Sequence, residues 1–420
     1  MDFASFPAGS SGANFIDLTG SYDGGVSFPS QEYVPGSSQA AGTFVVHSLL
    51  NPASVLQDPV VCLVHGDYHT SKIWHDKPDG GKGWASFFLS KGFQVMVIDM
   101  PGNINCQMSP EAVASAGLPL QKVDDGIVQH ELVAPEMSPV TGWKTSALHL
   151  QWPGHLGDVA FYNYKAMTSH MHMSREDRQF LGQNALVTLL GMYDRPTILV
   201  GEGTGATMSW LAADMVPHLV QAVVAVEPYG PPGGCPKIRY GNGALLGNGR
   251  HVGSVVRAIP GKRPYGISDV PLTFDPPLPL SGDANGGIVA PLRLFPTLMD
   301  ASNTIYLLQQ QDDVVQIGDD GQLLPESTEP AEPRQLAQLK KVKGHLVVTA
   351  EASQHSQYDG ATVAFLRQAG LEVHWMRLEE HHISGNGHLM FLEMNSDVIA
   401  EHILWWLAGT VDGVVLPPAQ

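Results

Sequence analysis

Cysteine, cationic side chains and long apolar runs are all scarce in this chain of 420 residues. Its 3 cysteines, Cys62, Cys106 and Cys235, have neither the number nor the spacing of a disulfide framework or a zinc knuckle. Lysine and arginine total 23 against 41 aspartates and glutamates, a formal net charge of −18. A broad surface of that sign repels nucleic acid and anionic lipid, so neither is expected as a partner. No apolar stretch approaches the roughly 20 residues that cross a bilayer. The start, Met1-Asp2-Phe3-Ala4-Ser5, lacks the basic-then-apolar pattern of a secretory leader, so a cytoplasmic protein is expected. What is present is a globular composition, 43% hydrophobic and 15% charged, long enough to bury a large core.

The chain alternates short β-branched runs with helical stretches. Phe44-Val45-Val46, Val60 to Val64, Phe93 to Ile98, Pro196 to Val200, Val220 to Val226, Leu346 to Val348 and Leu371 to Trp375 read as strands. Helices are expected over Gly83 to Lys91, Ser174 to Leu190 (Ser174 as N-cap), Ala206 to Met215, Gly360 to Gln368 and Leu389 to Leu407. Strand, helix, strand in repetition gives an α/β class with a mostly parallel twisted sheet flanked by helices. Two stretches break the rhythm. The expected order is therefore a core over 1–100 with an N-terminal arm, a first insertion over 101–172, core over 173–228, a second, proline-rich insertion over 229–343, and core again over 344–420. Both insertions read as lid or cap segments, because structureless loops of that length are otherwise uncommon.

One further absence matters most. Gly201-Glu202-Gly203-Thr204-Gly205 stands between a strand and a helix in the frame of a G-x-S-x-G nucleophile elbow, with glycine at the apex. Residue 203 can form no acyl-enzyme. A dinucleotide-binding turn fits poorly, since the spacing is not G-x-G-x-x-G and Glu202 would repel a pyrophosphate. Other polar features fall just after strands, where open α/β sheets place their sites. His65-Gly66-Asp67-Tyr68 is placed to supply one oxyanion-hole N–H, from Asp67, with Thr204 supplying the other. Glu227 ends a strand, and His388 follows the loop Gly385-Asn386-Gly387, with His381 and His382 as rivals nearby. Positions 203, 227 and 388 follow the chain order nucleophile, acid, histidine. Tyr68, Glu202 and Tyr229 flank these positions as candidate substrate contacts. No metal site and no cofactor is needed, and His170-Met171-His172 has poor chelate spacing for a helix.

With these residues in place the chain resembles the fungal and bacterial serine esterases of the α/β-hydrolase fold. The likeness is carried by His65-Gly66, Pro78-Asp79-Gly80 with Gly83-Trp84, and Phe88 to Phe93. It continues in Glu227-Pro228 with Gly230-Pro231-Pro232, Glu351-Ala352-Ser353, Tyr358-Asp359, Phe365 to Gly370, and Gly385 to His388. The resemblance implies the triad acid at Glu227, the base at His388 and the nucleophile position at Gly203, where the chain departs from the pattern. Three readings follow. A His–Glu pair facing an empty apex suits proton transfer in cyclisation, elimination or isomerisation of an apolar carbonyl substrate, and analogy places that in fungal-type secondary metabolism. An ester or lactone hydrolase whose residue 203 was changed from serine is the second, and a ligand-binding pseudoenzyme the third. A small-molecule substrate is the expected partner, and a homodimer is left open.

Overall fold

The computed structural model describes residues 14–21, 44–100, 124–138, 143–169, 174–240, 251–281, 288–299, 304–309 and 332–416. The expectations for Cys106 and for His170-Met171-His172 lie outside them. Eight strands form the large sheet: β1 (Asn14–Ser21), β2 (Phe44–Asn51), β3 (Val60–Val64), β4 (Val95–Asp99), β5 (Thr197–Gly203), β6 (Val220–Pro228), β7 (Gly344–Thr349) and β8 (Val373–Arg377). They lie side by side as β1-β2-β4-β3-β5-β6-β7-β8. β2 runs antiparallel to β4, while β4-β3, β3-β5, β5-β6 and β6-β7 are parallel. This is the α/β-hydrolase fold, as the motifs led one to expect.

The central strands read as unbroken apolar runs because both their faces are covered. Every residue of β3 and β4 is buried, which is what parallel strands between helical layers require. Val61, Leu63, Val95 and Val97 join a core with Trp84, Phe88, Ile399 and Ile403. Those partners lie on α1 (Trp84–Ser90) and on α4 (Ser396–Thr410), tied together where Trp84 Nε1 donates to the Ser396 carbonyl at 3.1 Å. Cys62 sits in this sheet, and burial pushes its thiol up to about 12, so it is inert packing. α2 (Arg175–Tyr193) starts as expected: the Ser174 hydroxyl accepts the Asp177 N–H at 3.1 Å. α3 (Thr204–Met215) follows β5 directly, and Gln183 on α2 donates to the Leu211 carbonyl of α3 at 3.0 Å. The last helix begins at Ser396, not near Leu389; residues 389–395 are turns that bury Leu389, Met390, Phe391 and Leu392. Their apolar periodicity is a buried turn's, which helical spacing cannot separate from a helix. Among the described residues no helix is long and apolar enough to cross a membrane.

The chain divides into two compact units, Met1–Tyr229 with Lys341–Ser356 and His374–Gln420, and Gly230–Lys340 with Gln357–Val373. The second unit takes in most of the proline-rich stretch expected as an insertion. It holds a four-stranded sheet in the order Leu294–Met299, Thr304–Gln309, His251–Ala258, Gly234–Tyr240. Pro236, Pro296 and Gly253 interrupt the alternation in these strands, which is why they escape a period-two reading. Buried Arg263 gathers their loops, its Nε donating to the Pro231 carbonyl at 2.7 Å and its backbone N–H to Asp269 at 2.7 Å.

The elbow uses its three glycines for different reasons. A Cβ on Gly201 would come within 2.5 Å of the Gly205 backbone, and one on Gly205 within 2.4 Å of the Val64 carbonyl. Strand and helix cross too closely there for any side chain. A Cβ on Gly203 would meet nothing within 4 Å; only its positive φ of 53° favours glycine. Gly205→Ala should therefore cost about 3 kcal/mol or more from backbone overlap, and Gly203→Ala only about 1 kcal/mol from strain. Urea denaturation of both variants checks this; equal losses would mean the apex is packed after all.

Candidate active site

Sheet pairing brings the predicted residues to one edge. Gly203 pairs with Pro228 across β5 and β6, and the Tyr229 N–H donates to the Gly203 carbonyl at 3.0 Å. Glu227, one residue earlier, is fully buried and holds a positive φ of 44°. A non-glycine residue in that region stores strain of about 1–3 kcal/mol, kept only where the surroundings impose it. Here three donors do so. One carboxylate oxygen accepts the Ala350 N–H at 2.9 Å; the other accepts the Ser353 hydroxyl at 2.6 Å and faces His388 Nδ1 at 2.7 Å. With Nδ1–H given to a carboxylate, Nε2 is the basic nitrogen of the ring. His388 is the member of the pair that keeps some exposure, its side chain 15% accessible.

The rivals fall elsewhere. His381 packs edge-on against His402, with ring centroids 5.6 Å apart, and His382 is exposed. His65 is a turn support: Nδ1 donates to the Gly66 carbonyl and Nε2 accepts the Met100 N–H, each at 2.8 Å. Burial lowers its pKa.

Beside Glu227 and His388, sequence reasoning left Ser353 and His355 unassigned. Ser353 anchors the acid, and the phrase Glu351-Ala352-Ser353 was the available signal, though no spacing rule gave it a role. His355 stacks on His388, ring centroids 4.9 Å apart and planes 9° from parallel. Burial drives the His355 pKa down to about 3, with the charge of His388 acting in the same direction. His355 is thus a neutral plate against the His388 ring.

The oxyanion-loop residues are latched to each other. The Thr204 hydroxyl donates to Asp67 at 2.5 Å, and the same carboxylate oxygen accepts from the Arg178 guanidinium. Tyr68 sits in the left-handed region (φ 63°), its carbonyl accepting the Ser169 N–H at 2.7 Å. Glu202, expected to face substrate, is buried with its carboxylate committed inward. It accepts the Gly66 N–H and meets His69 Nδ1 at 2.7 Å, while His69 Nε2 reaches the Tyr164 hydroxyl at 2.8 Å. Burial alone would raise the Glu202 pKa; the charge and hydrogen bond of His69 outweigh it and hold the carboxyl below its ordinary range. Glu202 therefore braces the loop that carries Asp67.

A further buried network grips the loop before His388. Glu393, fully buried, accepts the Gly387 N–H at 2.8 Å and the Asn386 amide at 2.6 Å, and faces His149 Nε2 at 2.8 Å. His149 Nδ1 faces Glu136 at 2.8 Å. Glu227, His355 and His388 also offer ligand-type atoms within 4.8 Å of one another. Three donors already fill most of the acceptor sites of the Glu227 carboxylate.

No family model matches the chain. It is similar to a fungal protein named "Probable secreted lipase phiG", 28% identical over 393 residues, or 92% of this chain and 91% of that protein. Among solved structures, a novel bacterial esterase is 14% identical, with 91% of this chain and 99% of that one covered at a TM-score of 0.47. Est1E from Butyrivibrio proteoclasticus, with ferulic acid bound, is 11% identical, covering 88% and 96% at a TM-score of 0.38. The fold is esterase- and lipase-like. The expectation of a cytoplasmic protein is corrected: the fungal relative's name points to secretion instead. Absence of a readable leader was too weak a ground for the opposite conclusion.

His149 sets a pH test. Burial opposes its charge, but the hydrogen bonds and charges of Glu393 and Glu136 together raise its pKa. The folded state thus holds this proton more tightly than the unfolded chain. The resulting stability is fully present below the unfolded value, about 6.5, and is lost as pH rises through the raised folded value. His149→Gln should cost about 3 kcal/mol at acidic pH, and the gap from wild type should narrow on the alkaline side. Urea denaturation across pH reads this out; a constant gap refutes it.

Proposed function

We propose that the protein is a non-hydrolytic enzyme of α/β-hydrolase fold, in which His388, oriented by Glu227, transfers a proton to or from an apolar carbonyl substrate held over Gly203. The observation that carries this is the buried Glu227 carboxylate hydrogen-bonded to His388 Nδ1 at 2.7 Å, beside an apex with no side chain and nothing within 4 Å of where one would begin. A base whose partner stabilises its imidazolium needs no nucleophile to abstract a proton α to a carbonyl. Asp67 and Thr204, latched at the mouth of the elbow, are the proposed region of enolate stabilisation by backbone N–H groups. The reaction classes that fit are isomerisation, elimination and cyclisation. Secretion, carried over from the name of the fungal relative, belongs to the same proposal.

A second reading has its own support. The open space at Gly203 would take a serine hydroxyl without a clash, and the fungal relative is named a lipase. On that reading the protein is an ester or lactone hydrolase with its nucleophile replaced.

Two measurements separate these readings. Deuterium uptake from heavy water into the α-positions of methyl octyl ketone, followed by NMR, should fall roughly 10²–10⁴-fold in His388→Gln. Unchanged uptake would sink the base. The wild type should show no acyl burst with p-nitrophenyl esters. Gly203→Ser should gain hydrolysis by roughly 10³-fold or more, and lose it again when His388→Gln is added. No gain would mean that the apex is not a vacated nucleophile position.

A further inference from the structure

A cleft opens beside the elbow, bounded by Gly66, Asp67, Thr204, Arg175, Arg178 and Met208. Its charges do not cancel, although the chain as a whole carries −18. The Asp67 carboxylate is taken by Arg178, which also reaches the Ser174 carbonyl through Nε at 3.4 Å, and by the Thr204 hydroxyl. Asp177, on the same first turn of α2, is exposed and accepts the Ser174 hydroxyl at 2.8 Å; Glu176 is exposed. That leaves Arg175 as the unmatched charge among the described residues of the cleft. Its guanidinium lies 4.7 Å from the centre of the Tyr229 ring, and its Nε is buried with no hydrogen-bond partner among the described residues. It enters no ion pair among them.

A buried, unpaired guanidinium N–H is costly, at the upper end for hydrogen-bonding groups because it is charged. Stacking on Tyr229 occupies one face of the planar group and leaves its donors to act in the plane, the geometry that matches a carboxylate fork. Tyr229 is itself joined to the apex through its N–H on the Gly203 carbonyl at 3.0 Å. Buried Met100 and Met208 line the same cleft and offer apolar surface.

We propose that Arg175 is a specificity residue that binds a carboxylate on the substrate, so that the substrate class is an apolar carbonyl compound bearing an acid group about one tyrosine ring away from Gly203. The charge anchors the far end of the molecule and leaves the carbonyl over the apex. Binding energy from such a remote group can be used to orient the reacting centre. This rests on the reading of His388 as the working base, and the two are separable by experiment.

Isothermal titration with decanoate and with decanol, at low and high salt, is the test. The wild type should bind decanoate at least tenfold more tightly than decanol, with only the decanoate affinity falling as salt rises. Arg175→Gln should abolish that preference, a loss of roughly ten- to hundredfold in decanoate affinity with decanol unchanged. His388→Gln should keep the preference while losing α-proton exchange on methyl octyl ketone, so failure of the base and failure of the anchor give different results. Decanoate binding no tighter than decanol in the wild type, or a preference that survives Arg175→Gln, overturns the proposal. The salt response of the wild type decides it even if the variant is unstable.

Discussion

The carboxylate of Glu227 is the constraint around which the rest is arranged. An ionised carboxylate without exposure survives only if its oxygens are filled by donors. Those donors come from three separate places: the backbone after β7, the hydroxyl of Ser353, and the ring of His388. The buried charge therefore fixes the relation of β6, the turn after β7 and the base loop at once. The positive φ of Glu227 belongs to the same demand, since it turns the side chain from the end of the strand towards all three. Remove the carboxylate and each of these segments loses the reason for its position.

Other buried carboxylates repeat the device. Glu202 draws the Gly66 N–H and His69 together beneath the loop of Asp67, and Glu393 draws Gly387, Asn386 and His149 together beneath the loop of His388. The loop of His388 also buries Leu389, Met390, Phe391 and Leu392, but apolar packing alone is not directional. A buried acid that collects backbone N–H groups and one histidine gives each loop a single arrangement, because every alternative leaves a charge unpaired. The neutral His355 plate limits tilt of the base ring in a way that a flexible aliphatic neighbour could not.

The sheet was legible because its strands are buried on both faces, and short runs such as Val60 to Val64 have no other use in a chain this size. The elbow was legible because side chains are excluded at 201 by the turn into α3 and at 205 by the end of β3, so both glycines stand as a pattern around the apex. Glu227 and His388 could be picked out since each follows a strand or a glycine-rich loop in the order of a triad. What escaped reading was long-range. Glu202 looks like a substrate contact from its place in the motif, yet it faces inward to a histidine that is 133 positions away in the chain. His149 and Glu393 lie 244 positions apart, and nothing local marks either as a partner of the base loop. The second unit's strands were hidden by Pro236, Pro296 and Gly253, residues that weaken the alternation without preventing the pairing.

The absent hydroxyl and the retained acid bear on each other energetically. A buried polar cluster of this kind is often about 1–4 kcal/mol less stable than well-packed apolar residues filling the whole site, although removing the carboxylate alone leaves its donors buried and unpaired. The strain at its φ adds to that deficit. Stability given up at one position is ordinarily the mark of a site that uses what it holds. The apex at Gly203 has a positive φ, the side chains of Asp67 and Thr204 are joined, and His388 has a buried carboxylate partner. On the proposed reading this arrangement moves a proton, and with no side chain at 203 it forms no acyl bond there. That asymmetry, more than the glycine alone, weighs against a mere remnant of a hydrolase.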